Sequence, residues 1–279
     1  MEVLVKNIVA QAEEILDAAG ITESRIDSWL LAESILGVCR RDLFLEPCKS
    51  VSKEQAQKYL DAVSVRAEHI PLQHITGRQQ FMDFEFIVNE DVLIPRPETE
   101  LLVEQVVSYI KDDEVKVLDM CTGSGCIAVS VDRMCVNADV TAADISKKAL
   151  KVAGENNMRN KGGVTFVQSD MFENIHGTYD IIVSNPPYIP TSDIEVLMEE
   201  VREHEPHLAL DGSADGLKFY REICRNADNY LNKNGKVFLE IGYDQGGTVP
   251  ELLRENGFTN IQVLKDLSGN DRMVIAGKE

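Results

Sequence analysis

The sequence predicts an α/β protein: a mostly parallel sheet with helices on both faces that closes with an antiparallel hairpin, preceded by a small all-helical domain and a linking β-hairpin. Three observations carry this reading. From Glu114 onward, short apolar runs rich in β-branched residues alternate with helical stretches. The last two runs, Asn260–Leu264 and Met273–Ala276, are joined only by a short polar loop containing Gly269-Asn270-Asp271. That loop falls short of the roughly dozen residues a parallel crossover needs, so the pair must be antiparallel. The first seventy or so residues show helical spacing instead.

Taken in order, Ile8, Ala12, Ile15 and Ala19 recur at helical spacing before Gly20 supplies a stop. Ile26, Trp29 and Leu30 mark a second helix that Gly37 closes, with Trp29 read as core. Ser52-Lys53-Glu54-Gln55 matches a capping box and opens a third long helix running to about Glu68. These form a helical domain over 1–75. Residues 76–95 read as the linking hairpin. In it Phe84, Phe86 and Val88 alternate with Glu85 and Ile87, Asn89-Glu90-Asp91 turns, and Val92-Leu93-Ile94 returns. Beyond the stiff Pro95-Arg96-Pro97, the stripe Leu102, Val103, Val106, Ile110 opens a domain over 96–279. Its strands are Val115–Asp119, Asp139–Asp144, Val164–Gln168, Ile181–Ser184 and Lys236–Ile241, followed by the terminal hairpin.

Composition bounds the function. The chain has 279 residues, 44% hydrophobic and 27% charged, as a folded chain of one large or two modest domains does. No apolar run approaches the roughly 18–20 residues of a membrane span, and the start Met1-Glu2-Val3 lacks the basic charge of a signal peptide. A cytoplasmic protein without membrane attachment is expected, acting as a monomer. The net charge is −19, with 12 acids against 8 bases in residues 1–75 and 35 against 20 in the remainder. Neither part supplies the globally basic face that duplex binding needs, so no direct nucleic-acid partner is expected. The six cysteines form no C-x-x-C pair, and Pro206 interrupts the two imidazoles of His204-Glu205-Pro206-His207. No metal is expected, and reduced thiols fit a cytosolic chain.

Two loops and one acid carry the chemistry. The strand Val115–Asp119 runs into Met120-Cys121-Thr122-Gly123-Ser124-Gly125-Cys126-Ile127-Ala128. Glycines there let the backbone approach a ligand beside a helix N-terminus. Alone, the loop also satisfies G-x-G-x-x-A and would serve NAD, or be a tight turn and nothing more. Asp144 ends the second strand about twenty residues on, where an acid accepts both ribose hydroxyls. Its competing role is to cap the next helix, although Ser146 suffices for that. Together they point to an adenosine-containing cofactor.

The most specific signal is Asn185-Pro186-Pro187-Tyr188, directly after Ile181–Ser184. Two prolines fix φ and remove two amide donors, and Asn185 presents an amide oxygen at the strand tip. Rigid neighbouring acceptors suit a planar NH2 group, whose flat face Tyr188 can cover. Holding both N–H bonds orients that poor nucleophile toward an electrophile such as a sulfonium methyl. The methylated nitrogen sheds its proton readily, so a dedicated carboxylate base is not required.

Asn185–Tyr188 resembles the N-P-P-Y motif of class I S-adenosylmethionine-dependent amino-methyltransferases, which act on adenine N6 or glutamine N5. Pro71-Leu72-Gln73-His74-Ile75-Thr76-Gly77, the Phe81–Phe86 hairpin, Ile94-Pro95-Arg96-Pro97-Glu98-Thr99-Glu100 and Glu205-Pro206 are together similar to the peptide chain release factor glutamine N5-methyltransferases. The related ribosomal-protein glutamine methyltransferases usually read differently after the Pro-Arg step. This resemblance spans essentially the whole chain. It implies a Rossmann-like, seven-stranded methyltransferase domain, S-adenosyl-L-methionine as cofactor, and class I release factors as protein substrate, docked by the helical domain and methylated in their Gly-Gly-Gln loop.

By the same resemblance, Cys121, Thr122, Gly123, Ser124 and Gly125 wrap the methionine part of the cofactor, and Asp144 holds the ribose. Asp170 and Met171 border the adenine, Asn185 touches cofactor and substrate, and Asn185, Pro186, Pro187 and Tyr188 hold the glutamine amide. Two positions depart from the family. Cys121 stands where glycine is common, which requires a negative φ. Met171 replaces a larger aromatic, which implies weaker adenine stacking. Glu240 reads as a cleft residue or a solvated rim acid, and Arg96 and Glu98 as mouth residues or a structural salt bridge. The rival readings are an adenine-N6 methyltransferase of DNA or RNA, an NAD-dependent dehydrogenase, which leaves Asn185–Tyr188 idle, and a non-catalytic cofactor-sensing binder.

Overall fold

The computed structural model describes residues 2–111 and 114–278, in two compact units. One runs through Gly77 and also takes in Met198–His204; the other comprises Arg78–Leu197 and Glu205 onward.

The first unit holds β1 (Glu2–Leu4), α1 (Val5–Ala18), α2 (Ser24–Leu36), α3 (Arg40–Leu45), β2 (Ser50–Ser52), α4 (Lys53–Ala67) and α5 (Leu72–Thr76). Helix α1 buries the stripe Val5, Ile8, Val9, Ala12 and Leu16. The capping box forms as the sequence requires: Ser52 Oγ accepts the Gln55 amide and Gln55 Oε1 accepts the Ser52 amide, each at 3.1 Å. Two features escape sequence patterning. β1 and β2 pair antiparallel, Glu2 opposite Ser52, and at three residues each they show no alternation to read. The short α3 makes the capped helix the fourth rather than the third.

The inward face of α2 also differs from expectation. Ile26 and Leu30 are exposed and Trp29 is only half-buried, whereas Ser24, Asp27, Ser28, Leu31, Ala32 and Leu36 point inward. The polar members of that face are satisfied internally. Tyr59 of α4 donates its hydroxyl to the Ser28 carbonyl at 2.8 Å, and Arg66 Nε donates to Asp27 Oδ2 at 2.7 Å. Arg66 Nη2 donates to Glu200 at 2.6 Å, binding Met198–His204 into this unit. Removing one partner from such a buried pair costs about 3–5 kcal/mol.

The second unit opens with β3 (Arg78–Phe81) and β4 (Phe84–Ile87), paired antiparallel around Met82-Asp83. The hairpin thus lies within 76–95 and turns inside the Phe81–Phe86 segment, not at Asn89–Asp91 where the alternation of Phe84, Phe86 and Val88 placed the turn. Asn89–Asp91 does turn, with Asp91 N donating to Asn89 Oδ1 at 3.0 Å, but Val92–Ile94 pairs with no strand. Val92 is instead buried with Val88 against Ala149 and Val152. Met82 makes the true turn at φ 51°, a position without the Gly or Asn that would announce it.

Then follow α6 (Pro97–Tyr109), β5 (Val115–Met120), α7 (Cys126–Met134), β6 (Ala138–Asp144), α8 (Lys147–Arg159), β7 (Thr165–Gln168), β8 (Tyr179–Ser184) and α9 (Thr191–Ile194). After α10 (Glu199–His204), which sits in the first unit, come α11 (His207–Leu210), α12 (Lys218–Asn226), β9 (Leu231–Glu240), α13 (Thr248–Glu255), β10 (Thr259–Lys265) and β11 (Asp271–Gly277). The seven-stranded sheet has the order β10-β11-β9-β8-β5-β6-β7. β5 to β9 run parallel, whereas β11 is antiparallel to both β9 and β10, the terminal hairpin that the short loop demanded. Side chains alternate between two cores: Leu118 and Ile182 enter one, while Val117, Ile181 and Val183 enter the other. Among the described residues no helix is long and apolar enough to cross a membrane, and no group of three potential metal ligands occurs.

Candidate active site

Register places the functional loops side by side. Met120, the last residue of β5, lies opposite Ala143 of β6 and Ser184 of β8, so Cys121, Asp144 and Asn185 leave one sheet edge together. This is the carboxyl edge of the parallel strands, at the point where successive strands are added in opposite directions, the usual ligand crevice of an open α/β sheet. A cavity lies there, lined by Cys121, Gly123, Asp144, Asp170, Met171, Asn185 and Pro187, with Val92, Leu93, Ile145 and Leu208 adding apolar wall. Of the residues predicted from sequence, Thr122, Ser124, Gly125, Pro186 and Tyr188 are not among its lining.

The residues behind the first loop hold its shape. Thr122 donates its hydroxyl to Asp119 Oδ2 at 2.5 Å, and the Ser124 carbonyl accepts from Asn156 Nδ2 at 2.9 Å. Gly125 starts α7 at φ 79°, and a Cβ there would stand 3.0 Å from that of Ala153. Gly123, at φ 55°, has open space where its Cβ would be. Cys121 overturns an expectation. Its φ is 61°, in the left-handed region, although it carries a side chain. Such a conformation costs an L-residue about 1–2 kcal/mol. The loop path is thus imposed by the sheet and helix it joins, while the Cys121 side chain packs against the sheet core.

Asp144 braces the loop from β6. Its Oδ2 accepts the Gly123 amide at 2.9 Å and its Oδ1 the Ser146 amide at 2.8 Å. Burial holds its carboxyl above the ordinary range, against the pull of these backbone amides. Capping of α8 falls to Ser146, whose hydroxyl accepts the Ala149 amide at 3.2 Å. Asp144 therefore remains a cavity acceptor with free lone pairs. Asp170 is exposed, while Met171 is buried at φ 44°, its carbonyl taking the Ser169 hydroxyl at 2.7 Å. A carboxylate suited to vicinal hydroxyls beside the apolar side chains of Ile145 and Met171 fits a nucleoside, and the open face of Gly123 admits a chain extending from it.

At the end of β8, Asn185 lines the cavity and turns its amide nitrogen inward, Nδ2 donating to Thr99 Oγ1 at 3.2 Å. Its carbonyl oxygen is then the polar atom it offers. Pro186 and Pro187 are buried, and Tyr188 is half-buried, its phenol pushed up to about 12 by burial and so neutral. The backbone of Tyr188 is closely gripped. Gln245 Nε2 donates to its carbonyl at 3.1 Å, while a Cβ on Gly216 would stand 2.3 Å from that oxygen and one on Gly212 would stand 2.8 Å from its Cα.

Several of these residues were not singled out from sequence. Asp119 was a visible signal, an acid within the apolar run of β5. It is fully buried, and desolvation raises its carboxyl to about 7 despite the Thr122 hydrogen bond. Gly212 and Gly216, in Asp211-Gly212-Ser213-Ala214-Asp215-Gly216, look like an ordinary loop until Tyr188 is placed against them. Glu240 is 1% exposed, which excludes the solvated rim. Its Oε2 takes the Thr99 hydroxyl at 2.7 Å. Arg96 forms a salt bridge with the buried Glu205 at 2.6 Å, one of the two readings of that residue.

The parts of the chain match known families in the same order. Residues 7–77 match the PrmC N-terminal domain and residues 97–215 the methyltransferase small domain. The release factor glutamine methyltransferase of Fusobacterium nucleatum is 37% identical over 277 residues, covering 98% of this chain and 78% of that protein. That of Agrobacterium fabrum is 36% identical over 270 residues, covering 94% and 93%. The chain belongs to the release factor glutamine methyltransferase family. A crystal structure of a methyltransferase from Pyrococcus furiosus shares the fold, with a TM-score of 0.53 at 20% identity over 70% of this chain and 89% of that one. The family and the class I methyltransferase fold expected from the sequence both stand.

Proposed function

We propose that this protein transfers a methyl group from S-adenosyl-L-methionine to the side-chain amide nitrogen of a glutamine in the Gly-Gly-Gln loop of class I release factors. The observation that carries the reading is the placement of the Asn185–Tyr188 corner on the same sheet edge as the Cys121–Gly125 loop and Asp144. Bound there, S-adenosylmethionine supplies an electrophilic methyl group on a cationic sulfur. The residues present fit it: Asp144 accepts ribose hydroxyls, Ile145 and Met171 flank the base with Asp170 at its border, and Cys121 and Gly123 border the amino-acid end, with Thr122, Ser124 and Gly125 holding the loop behind them.

The chain's own groups then act on the substrate amide. Asn185 Oδ1 and the Pro186 carbonyl accept the two N–H bonds, and Tyr188 covers the flat face. Pro186 and Pro187 bring no competing amide donor to the corner. Holding a weak nucleophile in one attack geometry is worth several orders of magnitude in rate, with no general base among the lining residues required. The helical unit docks the release factor, and free cysteines throughout the described residues suit a cytoplasmic setting beside the translation machinery.

The test offers methyl-labelled cofactor with three acceptors: a class I release factor, a duplex DNA and a mixture of ribosomal proteins. Label on the release factor supports the reading. Label on DNA or on a ribosomal protein instead replaces it with one of the two neighbouring activities.

A further inference from the structure

Thr99 sits in the first turn of α6 and Glu240 ends β9, yet the two meet directly behind Asn185. We infer that Thr99 and Glu240 are positioning residues that fix which way round the Asn185 carboxamide sits, and so decide that an acceptor, not a donor, faces the substrate amide. The inference rests on the proposed function above and extends it beyond the N-P-P-Y corner.

The count of protons at Thr99 sets the orientation of the amide. Asn185 has a carbonyl at one end of its amide and an NH2 at the other, nearly equal in size, so shape alone does not choose between them. Thr99 has a single hydroxyl proton. That proton goes to Glu240 Oε2 at 2.7 Å, and an ionised carboxylate can only accept. Only lone pairs of Thr99 Oγ1 are left to face Asn185, which meets them with Nδ2 at 3.2 Å. The reversed amide would set two oxygens against each other with no hydrogen between them. It would also aim NH2 at the substrate NH2, leaving nothing to hold the amide for attack.

Glu240 is well placed to impose this order. It is 1% exposed and lies opposite Met273 in the β9–β11 ladder, while Tyr220 donates its hydroxyl to the Glu240 backbone carbonyl at 2.7 Å. The charged and titratable groups that act on its side chain are Arg272 of β11, Arg96 and Glu98 around the start of α6, the thiol of Cys126 at the start of α7, and the phenols of Tyr188 after β8 and Tyr220 of α12. The arginines favour the ionised carboxylate and Glu98 opposes it, but desolvation dominates and raises Glu240 to about 7. Protonated Glu240 can itself donate to Thr99, which frees the Thr99 proton to turn toward Asn185 and permits the reversed amide. The Asn185 orientation is therefore tied to the charge of Glu240 across neutral pH.

The experiment uses the full chain without cofactor and reads the Asn185 side-chain amide by 15N NMR, its signal identified by its loss in Asn185→Ser. Wild type is expected to show a pH-dependent displacement of that signal centred near 7, which Glu240→Gln removes. With release factor and cofactor, Glu240→Gln and Thr99→Val are expected to lose roughly tenfold or more in kcat, while Thr99→Ser, which keeps the hydroxyl, retains most of it. An Asn185 signal and kcat unchanged from wild type in folded Thr99→Val would overturn the inference. So would Thr99→Ser as impaired as Thr99→Val, since that would make the site a matter of packing. A wild-type protein that methylates no release-factor glutamine rejects the proposed function instead, and the NMR result, taken without substrate, is read separately.

Discussion

Position 121 shows how far a single residue was legible. That a loop turns between β5 and α7 follows from Gly123 and Gly125, but the φ of 61° at Cys121 does not, because the strand and helix on either side dictate the path. A residue with a small unbranched side chain tolerates it. A β-branched one does not, so Cys121→Val is expected to lose about 1–3 kcal/mol in urea unfolding. Asp119 yields a pH dependence. Its buried carboxyl titrates near 7 in the native state and near 3.8 when unfolded, so between these values the native chain holds a proton that the unfolded chain has released. Stability from this group is fully present below about pH 4 and is lost as pH rises through about 7. Asp119→Asn is expected to flatten that fall by on the order of 1 kcal/mol or more between pH 5 and pH 8, measured by urea midpoints.

Among the elements, strands read well wherever both faces are apolar. Val115–Met120 and Tyr179–Ser184 alternate between two cores and announce themselves by β-branched residues. Elements stabilised by polar partners read poorly. Helix α2 was found but turned the wrong way, because Asp27 and Ser28 face inward toward Arg66 and Tyr59, partners some thirty to forty residues distant. Alternation alone misplaced the hairpin turn because β3 is Arg78-Gln79-Gln80-Phe81, which carries little apolar signal. The segment supporting Tyr188 was not legible either, since its glycines matter only through a neighbour remote in sequence. Gly216 sits at φ 71° against the Tyr188 carbonyl, so Gly216→Ala is expected to destabilise the fold by about 2 kcal/mol or more. It should also lower methyl transfer by shifting the corner. Denaturation and single-turnover rates on one preparation check both.

On the scale of the whole molecule, an acidic chain of net charge −19 carries its proposed methyl-transfer site at one sheet edge and a separate helical unit that Met198–His204 joins through Arg66 and Glu200. That grouping joins residues 134 apart in sequence, which no local pattern encodes. The motifs, by contrast, were legible because each ends a strand, and parallel strands deliver their ends to one edge. The central claim is that this edge captures a flat carboxamide and methylates its nitrogen. The most direct measurement is tandem mass spectrometry of release-factor peptides after reaction with wild type and with Asn185→Ala. One added methyl on the side-chain nitrogen of the Gly-Gly-Gln glutamine, lost with Asn185→Ala, is the predicted result; a methyl on any other atom, or undiminished transfer by Asn185→Ala, would contradict it.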